Sequence, residues 1–182
     1  SNKGLEAPPG LGFAAARIDR LGESVGRAQS WSLDLADVYA NAQRSPGSFR
    51  FTPPGQVLVA LEIALDRFEA EGREARLARY TANMRTLYDG VRALGLRPCL
   101  SPAVQGPVVV NVHAPDSPAW NLQAFVDALK RRGVLISNFY NTPFPSFRVG
   151  CIGAVTPADM RGAVGAIGET MAELGVALRR AA

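Results

Sequence analysis

Residues 56–94 constrain the fold of this chain more than any other stretch. Val57, Leu58, Leu61, Ala64, Leu65 and Phe68 recur at three- and four-residue spacing, which marks a helix with one apolar face. Gly72 interrupts the pattern. A second helix is expected over 73–94, with Leu77, Tyr80, Met84, Leu87, Tyr88 and Val91 turned inward and Gly95 ending it. Glu69, Glu71, Arg73, Arg76 and Arg79 read as a solvated face of mixed sign. After Gly95 the period drops to two. Residues 96–100 and 107–113 read as strands, the second built on Val108-Val109-Val110. A helix over 121–132 points Leu122, Phe125, Val126 and Leu129 inward and stops at Gly133, and 134–137 reads as another short strand. Thr156 followed by Pro157 opens a closing helix that runs to about residue 178. This order predicts an α/β (α+β) small domain with helices covering one sheet face.

The chain ahead of residue 56 is less regular. Residues 13–17 are short and apolar and read as a strand, and 18–26 as a turn or short helical piece. Residues 30–40 alternate at first and then lose their period, so they fit no single element. Residues 41–47 are polar and turn-rich, a loop. Further on, 138–146 is polar, aromatic and proline-rich, a loop placed to border a pocket.

Composition narrows the function classes. A chain of 182 residues, 47% hydrophobic and 20% charged, is long enough for a substantial core and ordinary for a soluble globular protein. No apolar run reaches the roughly 18 residues that a membrane span needs. No secretory signal segment is evident either, and the opening residues read as the inside of a larger protein. Cys99 and Cys151 stand alone, without metal-ligand or redox spacing, which fits a reducing cytoplasm and no metal site. The net charge is +4, but the arginines are scattered among acids rather than gathered in a stripe, which argues against nucleic acid. His113, the only histidine, stands at a strand end as a surface or edge residue.

Three short stretches carry chemistry. The first is Asn2-Lys3, followed by Pro9-Gly10-Leu11-Gly12-Phe13. Lys3 is one of only two lysines among 20 basic residues. Arginine replaces lysine in ion pairs but cannot form a Schiff base, whereas a deprotonated primary amine attacks aldehydes. A lysine in such a place is otherwise a solvated tail residue. The second stretch is Phe49-Arg50-Phe51-Thr52-Pro53-Pro54-Gly55. Thr52 stands where it can cap the helix that follows, or present its hydroxyl to a phosphate. The third is Phe147-Arg148-Val149-Gly150-Cys151-Ile152-Gly153. An arginine inside an apolar strand needs a partner, and its planar fork suits a carboxylate or phosphonate. A structural salt bridge is the plain alternative.

Together the three stretches resemble, in order and spacing, the pyridoxal-phosphate transaminases of fold type I, class V. They look most like the 2-aminoethylphosphonate–pyruvate transaminases. The family pattern Asn-Lys-Cys-hydrophobic-x-Gly-Val-Pro-Gly-hydrophobic-Gly-Phe differs here by Gly4 in place of the cysteine and Ala7-Pro8 in place of Gly-Val. The resemblance implies that Lys3 carries pyridoxal 5'-phosphate and moves the proton. It implies that Thr52 contacts the cofactor phosphate of a neighbouring subunit, which makes the unit a homodimer. It assigns Arg148 to the acidic group of the substrates, 2-aminoethylphosphonate and pyruvate, and it assigns His113 nothing.

It also implies that residues 1–50 are a remnant of the large cofactor-binding domain, its last strands, and that 51–182 are the C-terminal small domain. The other half of the family's chain, with the groups that hold the cofactor ring, is not in this sequence. The chain by itself is therefore expected to be an inactive fragment of an active parent. Another class V activity, of the alanine– or serine–glyoxylate type, and a non-catalytic α/β scaffold remain the alternatives.

Overall fold

A computed structural model of the chain describes residues 1–138 and 142–178. The chain divides into two units, Ser1–Leu65 and Asp66–Ala182.

The second unit is built as the period switch requires. After α3 (Gly55–Glu71) come α4 (Arg73–Ala93), β1 (Val109–His113), α5 (Leu122–Arg131), β2 (Ser146–Gly150) and α6 (Pro157–Glu173). The two strands pair antiparallel, Val110 against Val149 and Val112 against Phe147. Alternate side chains leave opposite faces of a strand, so these four point together to one side. There they meet Leu87 and Val91 of α4, Phe125 and Leu129 of α5, and Ile167 and Met171 of α6, all buried. The α4–α6 crossing is close: a Cβ on Gly90 would lie 2.6 Å from a methyl of Val164.

Local chemistry sets the helix ends. Thr156 and Asp159 form a capping box, and Asn121 caps α5 through Ala124 N–H at 2.9 Å. The Thr156 hydrogen bonds hold the Asp159 carboxyl below its usual value. Gly95, Gly133 and Gly175 all take positive φ. Behind each, Leu96, Val134 and Val176 donate back to the carbonyls of Val91, Leu129 and Met171. This is the Schellman closure, and it drives Leu96 and Val176 into the core. The closing helix accordingly stops at Glu173, short of residue 178.

Two expected strands in this unit are not formed. Residues 134–137 make no ladder, because the Val134 N–H is already used in the turn after α5. Residues 96–100 reduce to one bridge, Pro98 opposite Val112, flanked by Cys99 N–H to Asn111 O and His113 N–H to Arg97 O. Proline supplies no donor, which keeps the pairing to a single bridge.

The solvated face expected around α4 is also corrected. Arg76 is buried, its Nε 2.7 Å from Glu71, and Arg79 clasps the same carboxylate with Nε at 2.7 Å and Nη2 at 3.0 Å. The Arg79 hydrogen bond is the main reason the Glu71 carboxyl falls to about 2, with Arg76 adding to it. Arg79 Nη1 also reaches the carbonyl of Gly153, and Asn83 donates to the carbonyls of Cys151 and Val155 at 3.0 Å. The turn that follows β2 is thereby tied to α4.

In the first unit, α1 (Ile18–Glu23) and α2 (Leu35–Arg44) precede α3. Asp34 caps α2 through Ala36 and Asp37 N–H, and the helix takes up part of the expected 41–47 loop. Residues 13–17 form no strand, and Phe13 is exposed. A run of three alanines has little β preference, and no second strand lies in this unit to pair with it. The small core here is Ala7, Leu61 and Ala64, flanked by Leu5 and Leu11.

Candidate active site

Lys3 begins a short 3₁₀ turn, Lys3–Leu5, and is exposed. Its φ of 61° lies in the left-handed region, as does that of Glu6 at 58°, an arrangement non-glycine residues avoid unless their surroundings fix it. The fixing contacts are visible. The Ser1 nitrogen donates to Leu11 O at 3.0 Å, the Ser1 hydroxyl donates to Pro8 O at 2.7 Å, and Glu6 N–H closes on Lys3 O at 2.9 Å. Ala7 anchors the segment against Leu61 and Ala64. Gly10 passes so close to α3 that a Cβ there would sit 3.1 Å from Val57. The departure from the family pattern at position 7 therefore lies in a packed spot, and alanine fills it.

Thr52 lies exposed in the irregular segment before α3, and its side chain makes no hydrogen bond among the described residues. It does not cap α3. The two prolines extend the chain past it, and Pro54 O accepts the first helical bonds, from Val57 and Leu58 N–H. The hydroxyl is left for another acceptor or donor.

Two residues earlier, Arg50 is 8% exposed. Its Nε pairs with Asp37 at 2.6 Å, and its guanidinium lies 4.7 Å from the Trp31 ring and 4.9 Å from the Phe51 ring. Its Nη1 and Nη2 are buried without an acceptor among the described residues. The aromatic flanks of Arg50 are visible in sequence, but its burial under Trp31 is not.

Arg148 is half-buried on β2, on the sheet face opposite the core, and its Nε donates to the Ser137 hydroxyl at 3.2 Å. Lys3 and Thr52 belong to the first unit and Arg148 to the second. No hydrogen bond or ion pair joins Lys3 to Thr52 among the described residues. His113 ends β1 half-buried and stacked on Phe144 at 4.6 Å, and desolvation, with Arg97 adding to it, lowers its pKa. Cys151 is buried, which pushes its thiol up to about 11, so it stays protonated and is no nucleophile. No cluster of three metal-ligating side chains occurs among the described residues, and none of their helices is long and apolar enough to cross a membrane. Of the expected loop over 138–146, residues 139–141 lie outside the described residues, and Ser146 already belongs to β2.

Solved structures place this architecture among the fold-type-I aminotransferases. Pyridoxamine–pyruvate aminotransferase from Mesorhizobium loti superposes with a TM-score of 0.70 at 29% identity, covering 78% of this chain and 37% of that one. Alanine–glyoxylate aminotransferase from Nostoc sp. has the same fold at a TM-score of 0.73 and 18% identity, covering 93% and 46%. In sequence the chain is similar over 99% of its length to a 2-aminoethylphosphonate–pyruvate transaminase of Burkholderia ambifaria, at 46% identity. It is 47% identical over 98% of its length to one from Burkholderia mallei. No protein-family model matches. In sequence the chain is thus similar to 2-aminoethylphosphonate–pyruvate transaminases, and in fold to the aminotransferases. It spans about half the length of the curated relatives it matches, 48% in both of these cases.

Proposed function

We propose that this chain is the C-terminal half of a pyridoxal-phosphate-dependent transaminase that moves the amino group of 2-aminoethylphosphonate to pyruvate, giving phosphonoacetaldehyde and alanine. The observation that carries the reading is the match at 46% identity, over 99% of this chain, to a relative of that name. In this reading residues 1–50 belong with the large domain, 51–182 form the small domain, and the unit is a cytoplasmic homodimer. The two unpaired cysteines accord with that compartment.

The residues present fit part of the cofactor. Lys3 supplies an exposed primary amine on a turn held in a strained conformation, and Thr52 supplies a hydroxyl with no partner among the described residues. When bound, pyridoxal phosphate supplies the electron sink that makes the substrate Cα–H acidic. Lys3 Nζ takes that proton and returns it on the far side of the transfer, so it serves as the acid/base. The Thr52 hydroxyl would hold the cofactor phosphate from the neighbouring subunit. The Arg148 fork holds the acid of each substrate in turn and fixes where its amine or carbonyl lies.

The test is a pair of variants of the complete enzyme. Lys3→Arg keeps the charge but removes a titratable amine and should cut turnover by more than about a thousandfold; retention of most turnover would refute the lysine assignment. Arg148→Ala should raise KM for both acids by tenfold or more, roughly one lost charge-assisted contact. Unchanged KM values would remove Arg148 from the site.

A further inference from the structure

We propose that Asn111 is a specificity-determining residue of this site, supplying the donor that distinguishes a phosphonate from a carboxylate. The inference rests on the reading that Arg148 anchors the substrate's acid.

Asn111 stands directly opposite Arg148 in the β1–β2 ladder. The bonds that frame the ladder are Cys151 N–H to Val108 O at 2.9 Å and Ala114 N–H to Pro145 O at 3.0 Å. They alternate with the paired residues, so Val110–Val149 and Val112–Phe147 are the hydrogen-bonded pairs and Asn111–Arg148 is a non-hydrogen-bonded one. In such a pair the Cα atoms approach to about 4.5 Å and the two side chains leave the same face close together. That face is opposite the core, because the neighbours Val110 and Val112 are the ones that are wholly buried.

Asn111 is half-buried, and its amide makes no hydrogen bond among the described residues. Its backbone carbonyl is engaged by Cys99 N–H, which fixes the residue in place while leaving the side chain unspent. In an otherwise all-valine run from 108 to 112 an asparagine gains nothing by packing, and it sits where strand propensity disfavours it. What it contributes is polar.

Acid geometry supplies the reason for a second group. A guanidinium fork satisfies the two oxygens of a planar carboxylate. A phosphonate is tetrahedral, with three oxygens, and the fork reaches at most two at once. An amide N–H beside the fork meets the third. Ser137 steadies the arrangement, since its hydroxyl accepts from Arg148 Nε and keeps its own proton to donate. Arginine thus gives affinity for either acid, and Asn111 adds preference for the phosphonate.

The experiment is calorimetric titration of the complete enzyme with ethylphosphonate and with propionate, neither of which carries an amine to transfer. Asn111→Ala should weaken ethylphosphonate about tenfold and propionate by less than about threefold, the loss of one hydrogen bond to a charged group. Asn111→Thr, which keeps a donor and suits a strand, should bring ethylphosphonate back to within about threefold of wild type. In turnover, Asn111→Ala should raise KM for 2-aminoethylphosphonate several-fold more than KM for pyruvate, and Asn111→Thr should reverse most of that rise. Equal weakening of both acids, or no change in either, overturns the role of Asn111 while Arg148→Ala still weakens both. If Arg148→Ala leaves both acids bound as before, the anchor reading itself fails and Asn111 falls with it. If wild type binds neither acid, both readings fall.

Discussion

The two units of this chain distribute their apolar residues in opposite ways. In Asp66–Ala182 most of the large apolar side chains that the helical and strand periods direct inward are buried, with Leu87, Val91, Val110, Val112, Phe125, Leu129, Ile167 and Met171 shut off from solvent, although Leu77, expected inward on α4, is 49% exposed. In Ser1–Leu65 the core is two alanines and a leucine, while Phe13, Trp31, Leu33 and Phe49 lie largely exposed. The difference shows what each unit relies on. The second closes its own core around a two-stranded sheet. The first is held by turn chemistry: the bonds from Ser1 to Pro8 and Leu11, the Asp34 cap, and Arg50 clasped by Asp37, Trp31 and Phe51. Substitutions should therefore be costly in the second unit and mild in the first.

Three substitutions sharpen or break that contrast. The largest effect is expected at the Glu71–Arg76–Arg79 cluster. Glu71→Gln removes charge-assisted bonds to two arginines and should cost about 2–3 kcal/mol at neutral pH, read from denaturant midpoints. The pH dependence has a definite sign. Glu71 falls from 4.5 to about 2 in the folded state, so its contribution is complete above about 4.5 and is lost as the pH drops toward 2. The variant should lack that part of the acid destabilisation, and an unchanged acid limb would show that the cluster is not the cause.

Gly90→Ala comes next. Alanine is the better helix former by about 1 kcal/mol, yet its Cβ would meet Val164 at 2.6 Å. Net destabilisation of about 1–2 kcal/mol is expected from forcing α4 and α6 apart, and a stabilised variant would mean the crossing is loose.

Trp31→Ala should have the smallest effect. Trp31 is 72% exposed and contributes mainly its cover over the Arg50 guanidinium and an edge-on contact with Phe51, so the loss should stay below about 1 kcal/mol. A cost equal to that of Gly90→Ala would erase the contrast between the units.

The sequence by itself determined the features that depend on neighbours along the chain. The apolar period placed α3, α4 and α5 to within a few residues, and Gly72, Gly95 and Gly133 marked their limits. The Thr156-Pro157 pair opened the last helix. The motifs around Lys3, Thr52 and Arg148 carried the family. Each is a matter of a few consecutive dihedrals, one side chain reaching its own backbone, or a short string of residue types.

Tertiary structure decided what depends on residues far apart. Arg76 looks solvated from its position on the helix, but the carboxylate of Glu71 and the ring of Phe68 let it be buried. Residues 134–137 have strand-like composition and 13–17 are a short apolar run, yet neither forms a strand, because a strand exists only when a partner offers its N–H and C=O groups. Asn111 looks like an interruption in a valine run. Only the register of β1 on β2 shows that it faces Arg148, since a one-residue slip would have sent it into the core.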